Sequence, residues 1–291
     1  MTALKVAKSC RQFLQPKYQP LVIQTATSVN LFDVDKKSGY HDDLDGKKKK
    51  GFIESLKLQK GEFKLFTEEI KDKLRLRHLD RWNLDHGTYE YLWKFGGKES
   101  VERWTLTADR DNLEGQSSVN LSISKDNNAL FHGYLSQQVP KDGISKNAGY
   151  CNMKSPSNYI SFKRKRPIDD IGIYSHLVLR VRGDGRPYYI NLQMKRAYDI
   201  MWSDQFNYTL YTRGGPYWQV AKIPFSKFFF THKGRNQDHQ YPPDLQNIEN
   251  IGITMADGVE GPFQLEIDYI AVLNDANHLE ETAYEDYNYT F

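Results

Sequence analysis

The chain has 291 residues, of which 39% are hydrophobic and 26% charged, with a formal net charge of +3 at pH 7. That balance is ordinary for a folded globular protein, and no segment approaches the ~20 apolar residues a membrane-spanning helix requires. Residues 1–32 hold Lys5, Lys8, Arg11 and Lys17 and no acid, leaving 36 basic against 37 acidic residues elsewhere, which speaks against nucleic acid as a partner.

Residues 1–32 add Ser9, Thr25, Thr27 and Ser28 to those cations, and their longest aliphatic run is Leu21-Val22-Ile23. This composition predicts a mitochondrial transit peptide, whereas a secretory signal needs a continuous apolar stretch of roughly 7 to 15 residues. Cys10 falls inside it, so cleavage would leave Cys151 as the one thiol, with no intramolecular disulfide, as in a reducing compartment. Sequons at Asn120, Asn207 and Asn288 point weakly the other way.

Residues 33–84 read as a charged linker followed by an amphipathic helix. The block Gly46 to Gly51 has the spacing that opens a phosphate-binding loop, yet Phe52 and Ile53 stand where Lys and Ser/Thr belong. Between Glu62 and Arg81, Phe63, Phe66, Ile70 and Leu74 recur every three or four residues. The stripe packs on the main domain or docks a partner or membrane surface; Phe66 and Ile70 are its candidate contact residues.

Residues 85–274 follow a period of two. Candidate strands are Tyr89–Phe95, Val119–Ser124, Ala129–Leu135, Asn158–Phe162, His176–Arg182, Tyr188–Met194, Phe206–Thr212, Trp218–Ile223, Ile248–Met255 and Phe263–Leu273. Short strands without intervening long helices predict antiparallel sheets and an all-β sandwich or jelly roll. Ser175 to Met194 is expected to form a hairpin over Gly183-Asp184-Gly185, with Leu177, Leu179 and Val181 facing the core. In the last strand Phe263, Leu265, Ile267 and Tyr269 are expected on one face and Gln264, Glu266 and Asp268 on the other. Residues 275–291 form an acidic, aromatic tail, either solvated or ordered on a partner.

Chemistry-bearing motifs are sparse. Neither a G-x-S-x-G elbow nor a dinucleotide G-x-G-x-x-G is present, and Cys151 lacks a local activating context. His232, Asp238 and His239 match no zinc spacing, and Asp169 and Asp170, adjacent on a strand, would point to opposite faces. The reading therefore assigns no catalytic, cofactor-binding or metal residue; clustering of Asp199, Asp204 and a histidine would reopen an enzymatic one. Lys163 to Pro167 reads as a charge-protected sheet edge, and Arg182-Gly183-Asp184 as turn chemistry. Trp202, Tyr211, Tyr217 and Trp218 either pack in the core or stack on sugar rings, which makes a carbohydrate-binding module the alternative function. Phe228, Phe229 and Phe230 are candidate exposed contact positions.

With these residues assembled, the chain resembles the complex I intermediate-associated protein family. The resemblance rests on Trp104 with Asp109, Ser117-Ser118, Phe131-His132-Gly133, Gly149-Tyr150 and the run from Leu177 to Arg186. It continues through Trp218 with Ile223-Pro224-Phe225, Ile251-Gly252-Ile253 and Gly261-Pro262-Phe263 to Asp268. It implies a galactose-binding-like jelly roll and a non-enzymatic scaffold on the matrix side of the mitochondrial inner membrane that helps build the membrane arm of complex I. Implied partners are membrane-arm subunits, ECSIT, an acyl-CoA dehydrogenase-type assembly factor and transmembrane assembly proteins; no cofactor is implied. One departure is Glu114-Gly115-Gln116 before the paired serines, where the family commonly has a double glycine, which questions the local turn.

Overall fold

The computed structural model describes residues 61–71, 85–141, 148–160, 164–168, 171–195, 204–232 and 234–280. Chain contacts separate Met1–Asp33 from Val34–Phe291, and every described residue lies in the second unit. The expected transit peptide, Leu74, Asp169 and Asp170, Asp199, Trp202 and the tail beyond Glu280 lie outside the described residues.

Helix α1 covers 61–71. After it come β1 (Tyr89–Lys94), a single-turn α2 (Glu99–Glu102), β2 (Thr105–Ala108), β3 (Ser118–Ile123), β4 (Ala129–Leu135) and β5 (Cys151–Lys154). A small hairpin, β6 (Asn158–Ile160) and β7 (Arg164–Arg166), precedes β8 (His176–Gly183), β9 (Pro187–Met194), β10 (Asp204–Tyr211) and β11 (Gln219–Pro224). The chain continues through β12 (Phe229–His232), β13 (Arg235–Asn236), β14 (Ile248–Met255) and β15 (Gly261–Leu273).

Two antiparallel sheets result. One runs β11-β8-β15-β4-β3, with β1 also on β15; the other runs β13-β12-β10-β9-β14-β5-β2. The 13-residue β15 organises the first sheet: Gly261–Ile267 pairs with β4, Tyr269–Leu273 with β1, and its opposite edge with β8. Leu177, Leu179, Val181, Leu265, Ile267 and Ile270 of this sheet and Tyr188, Ile190, Leu192, Ile251 and Ile253 of the other are buried in one core. Removing these apolar side chains from water holds the two sheets face to face.

The predicted hairpin from Ser175 to Met194 is corrected. Strand β8 pairs with β11 and β15, whereas β9 pairs with β10 and β14, so Gly183 to Gly185 forms an arch from one sheet to the other. Gly185 takes φ +94°, which a side chain disfavours. A period of two marks strands and faces but says nothing about which strands exchange hydrogen bonds.

The expected face of the last strand also changes partway along. An extra residue at Asp268 makes a bulge between Ile267 and Tyr269. Tyr269 thereby pairs with outward-facing Arg180, and Ile270 takes its place in the core. The strands β2, β5, β7, β12 and β13 were not among those predicted; each is four residues or fewer, too short for a clear alternation.

The two outward faces differ. On the seven-stranded sheet, Asn191, Gln193, Asn207, Asn250 and Lys154 point away from the core yet are buried. Their amides join cross-strand bonds: Asn191 donates to Thr254 Oγ1, Thr254 donates to Asn152 Oδ1 (2.9 Å), and Asn207 donates to Thr231 Oγ1 (2.8 Å). The sequon at Asn207 is thus closed to modification in the folded protein. On the six-stranded sheet, Tyr91, Tyr134 and Val220 are exposed.

Candidate functional site

The residues that carry the family resemblance converge on structural knots. Asp109 is fully buried and accepts the Ser117 backbone N–H (2.8 Å), the Ser117 hydroxyl (2.9 Å) and the Gly149 N–H (2.7 Å). Ser117 Oγ in turn accepts the Ser136 N–H at 3.0 Å. A Cβ on Gly115 would lie 2.1 Å from Asp109 Oδ2, so this glycine is the one the turn requires, and it is present. The missing second glycine therefore leaves the local geometry intact. Gly133 is similarly constrained, since a Cβ there would meet Ser118 O at 2.0 Å.

The arch is a second knot. Asp184 accepts the backbone N–H groups of Arg186 (3.0 Å) and Gln264 (2.8 Å) and the Tyr188 hydroxyl (3.1 Å). Burial first, and then the Asp184 carboxylate, push the Tyr188 phenol well above its ordinary pKa. Arg186 makes a two-pronged pair with Asp257 (2.8 and 2.6 Å) and donates to the carbonyls of Val259, Gly261 and Pro262. Arg182-Gly183-Asp184 is thus occupied within the fold, as the turn reading requires.

On the outward face of the six-stranded sheet, Glu266 is 2% exposed, even though it points away from the core. It accepts from Ser124 (2.6 Å), Asn128 (3.2 Å) and Arg182 Nε (2.8 Å). Burial alone would raise its pKa, but the bonds from Ser124, Arg182 and Asn128 outweigh burial and hold the carboxyl below its ordinary value. Arg180 pairs with Asp268, and both arginines lie against the Trp218 ring, 4.9 and 5.0 Å from its centroid. Trp218 is therefore neither core nor free, whereas Tyr211 and Tyr217 are 75% and 73% exposed.

An open cleft of about 390 Å³ beside the arch is lined by Arg182, Gly183, Asp184, Gly215, Pro216 and Gln264. Its Asp184 and Arg182 are already committed to the internal bonds described above. Among the described residues no group of three or more His, Cys, Asp and Glu could hold a metal ion. His232 pairs with Asp204 across β12 and β10 (2.6 Å). Cys151 is fully buried, and burial pushes its thiol up to about 12, which removes it as a nucleophile near neutral pH.

The predicted contact residues fall in different settings. In α1 Phe66 is half-buried and Ile70 is 42% exposed. Phe228 is a core residue, 2% exposed, packed 5.7 Å from the Tyr208 ring and 6.1 Å from Phe225. Phe230 is half-buried against Phe206 and Tyr241, and Phe229 is half-buried on β12. The expectation that 228–230 form an exposed loop is corrected: Phe228 precedes β12 and is buried in the core, while Phe229 and Phe230, adjacent within β12, face alternate sides of a strand paired with both β10 and β13. The most exposed aromatics among the described residues are instead Tyr211 and Tyr217; Gly214, Gly215 and Pro216 between them mark a loop in the sequence, but a period-two reading gives no exposure there.

Residues 93–267 match the family model described as complex I intermediate-associated protein 30 (CIA30). The chain is 40% identical over 275 residues to the fruit fly (Drosophila melanogaster) complex I intermediate-associated protein 30, mitochondrial, covering 94% of this chain and 92% of that protein. It is 45% identical over 195 residues to the mouse (Mus musculus) protein of the same name, covering 67% and 59% respectively. Among solved structures, the family 11 carbohydrate-binding module of Clostridium thermocellum Lic26A-Cel5E aligns with 67% of this chain and 99% of that one, at TM-score 0.45 and 16% identity. The chain belongs to the complex I intermediate-associated protein 30 family.

Proposed function

We propose that this protein is a non-enzymatic assembly factor for mitochondrial respiratory complex I. The observation that carries the reading is the match over 94% of the chain to a fruit fly protein named for its association with complex I intermediates. The geometry supports it: Asp109, Ser117, Gly133, Gly149, Asp184 and Arg186 all spend their side chains or their space on holding the sandwich rigid.

In this reading the protein works on the matrix side of the inner membrane, peripheral to the bilayer, after loss of its presequence. It holds membrane-arm subunits, in company with ECSIT, an acyl-CoA dehydrogenase-type factor and transmembrane assembly proteins, until those subunits are joined. The stripe of α1 supplies one contact, through half-buried Phe66 and through Ile70, whose exposed apolar side chain favours a partner over water.

Depletion of the protein followed by native-gel separation of respiratory complexes tests the proposal. A loss of mature complex I with accumulation of a membrane-arm intermediate is expected. Normal complex I abundance with no stalled intermediate would overturn it.

A further inference from the structure

Strand β11 ends the six-stranded sheet, and among the described residues its backbone pairs with β8 alone and no strand lies along its outer row of N–H and C=O groups. Such an edge is a template for another strand. Its surroundings are unusual in charge: from Gln205 to Gln237 the sequence holds Arg213, Lys222, Lys227, Lys233 and Arg235 and not one Asp or Glu. Arg213 and Lys222 are exposed and make no salt bridge among the described residues.

Aromatic surface continues the edge. Val220 on β11 is 52% exposed, Tyr211 ends β10, and Tyr217 stands on the loop that leads from there into β11. That loop is held in place. Gln219 accepts the Arg213 N–H (2.9 Å) and donates to Tyr211 O (3.0 Å), and Thr212 Oγ1 accepts the Gly185 N–H (3.0 Å) and donates to Arg186 O (2.8 Å). Trp218 lies against Arg180 and Arg182 next to it. Exposed Tyr and Arg beside a half-buried Trp on a preorganised support are what protein contacts are enriched in, because little entropy remains to be lost on binding.

We infer that β11 is a strand-addition site for an extended, acidic segment of a partner polypeptide. The segment's backbone completes the open edge of Gln219–Pro224, its carboxylates meet Arg213 and Lys222, and its apolar side chains cover Val220 and Tyr217. The edge hydrogen bonds select a polypeptide over a nucleic acid, since only another peptide backbone offers amide donors and acceptors at the strand repeat. The inference rests on the reading of the protein as a factor that acts by contact, and it gives that contact a place and a chemistry.

Purified full-length protein is titrated with a random glutamate–tyrosine copolymer and with polyglutamate, and amide hydrogen exchange is followed across the chain. Expected are tighter binding of the copolymer, new protection at Gln219–Pro224, and a Kd raised at least about tenfold in an Arg213→Glu/Lys222→Glu variant. Tyr217→Ser should weaken the copolymer and leave polyglutamate unchanged, and Lys98→Glu/Lys141→Glu serves as a charge-matched control with unchanged binding. Thermal melts confirm folding, and the exchange measurement on the unaltered protein decides the question even where a variant does not fold. No binding, binding without protection of β11, equal response of the control variant, or β11 already protected in a self-associated dimer would each overturn the inference. Any of these leaves the depletion phenotype untouched, so the two proposals fail separately.

Discussion

Single side chains in this protein carry consequences that can be measured. Asp109→Ala removes the acceptor of the buried Ser117 N–H and hydroxyl and of the partly buried Gly149 N–H, and is expected to cost roughly 3 to 5 kcal/mol in urea unfolding, since each orphaned donor loses about 1 to 3 kcal/mol. Gly115→Ala is expected to destabilise through the clash with that same carboxylate, while substitution of its neighbour Gln116, which is exposed, leaves the midpoint nearly unchanged. In a Cys10→Ser background Cys151 should resist a thiol reagent at pH 8 until denaturant is added; labelling of the native protein would contradict its buried, high-pKa setting. Glu266 has a folded pKa below its unfolded value, so its contribution to stability is present above the ordinary carboxylate range and is lost as pH falls through the depressed value. Arg182→Ala removes one of the partners that depress it, and is expected to cost about 3 kcal/mol at pH 7 and to move the acid limb of the stability profile to higher pH.

At the scale of elements, the arch between β8 and β9 joins the two sheets, and Arg186 ties it to the loop between β14 and β15. Arg186→Ala should therefore raise amide exchange at both Asp184–Arg186 and Asp257–Pro262, whereas an effect confined to one of them would contradict the tie. The strands that build this arch were legible in the sequence, because Leu177, Leu179 and Val181 alternate cleanly and Gly185 marks the reversal. Their placement in different sheets was not, since alternation names a face and never a neighbour. The bulge at Asp268 was equally hidden: an extra residue becomes visible only when β8 fixes the register on both sides of it. Phe228 was misplaced because an aromatic run between Lys227 and Thr231 looks the same whether its first ring fills a core gap or a partner's pocket. The buried acid Glu266 went unread for a related reason, as the three residues that neutralise it lie at least 84 positions away in the chain.

Taken as a whole molecule, the protein invests its polar side chains in rigidity, while the six-stranded sheet keeps Tyr91, Tyr134 and Val220 exposed and, among the described residues, pairs β11 on one side only. The motif residues from Trp104 to Asp268 lie in the core, the turns and the paired ladders, which is where a scaffold needs uniformity. Its working surface lies elsewhere, at Tyr211, Tyr217, Val220 and the cations around them, and such a surface changes partner affinity without changing the fold. In the proposed role the protein holds a complex I intermediate and departs before the complex is complete. Two-dimensional native and denaturing electrophoresis of mitochondrial membranes, probed for this protein, tests it most directly. The protein is expected to co-migrate with membrane-arm intermediates and to be absent from mature complex I. Migration solely at the position of the free 34.0 kDa chain or its processed form, or stoichiometric retention in the finished complex, would contradict the account.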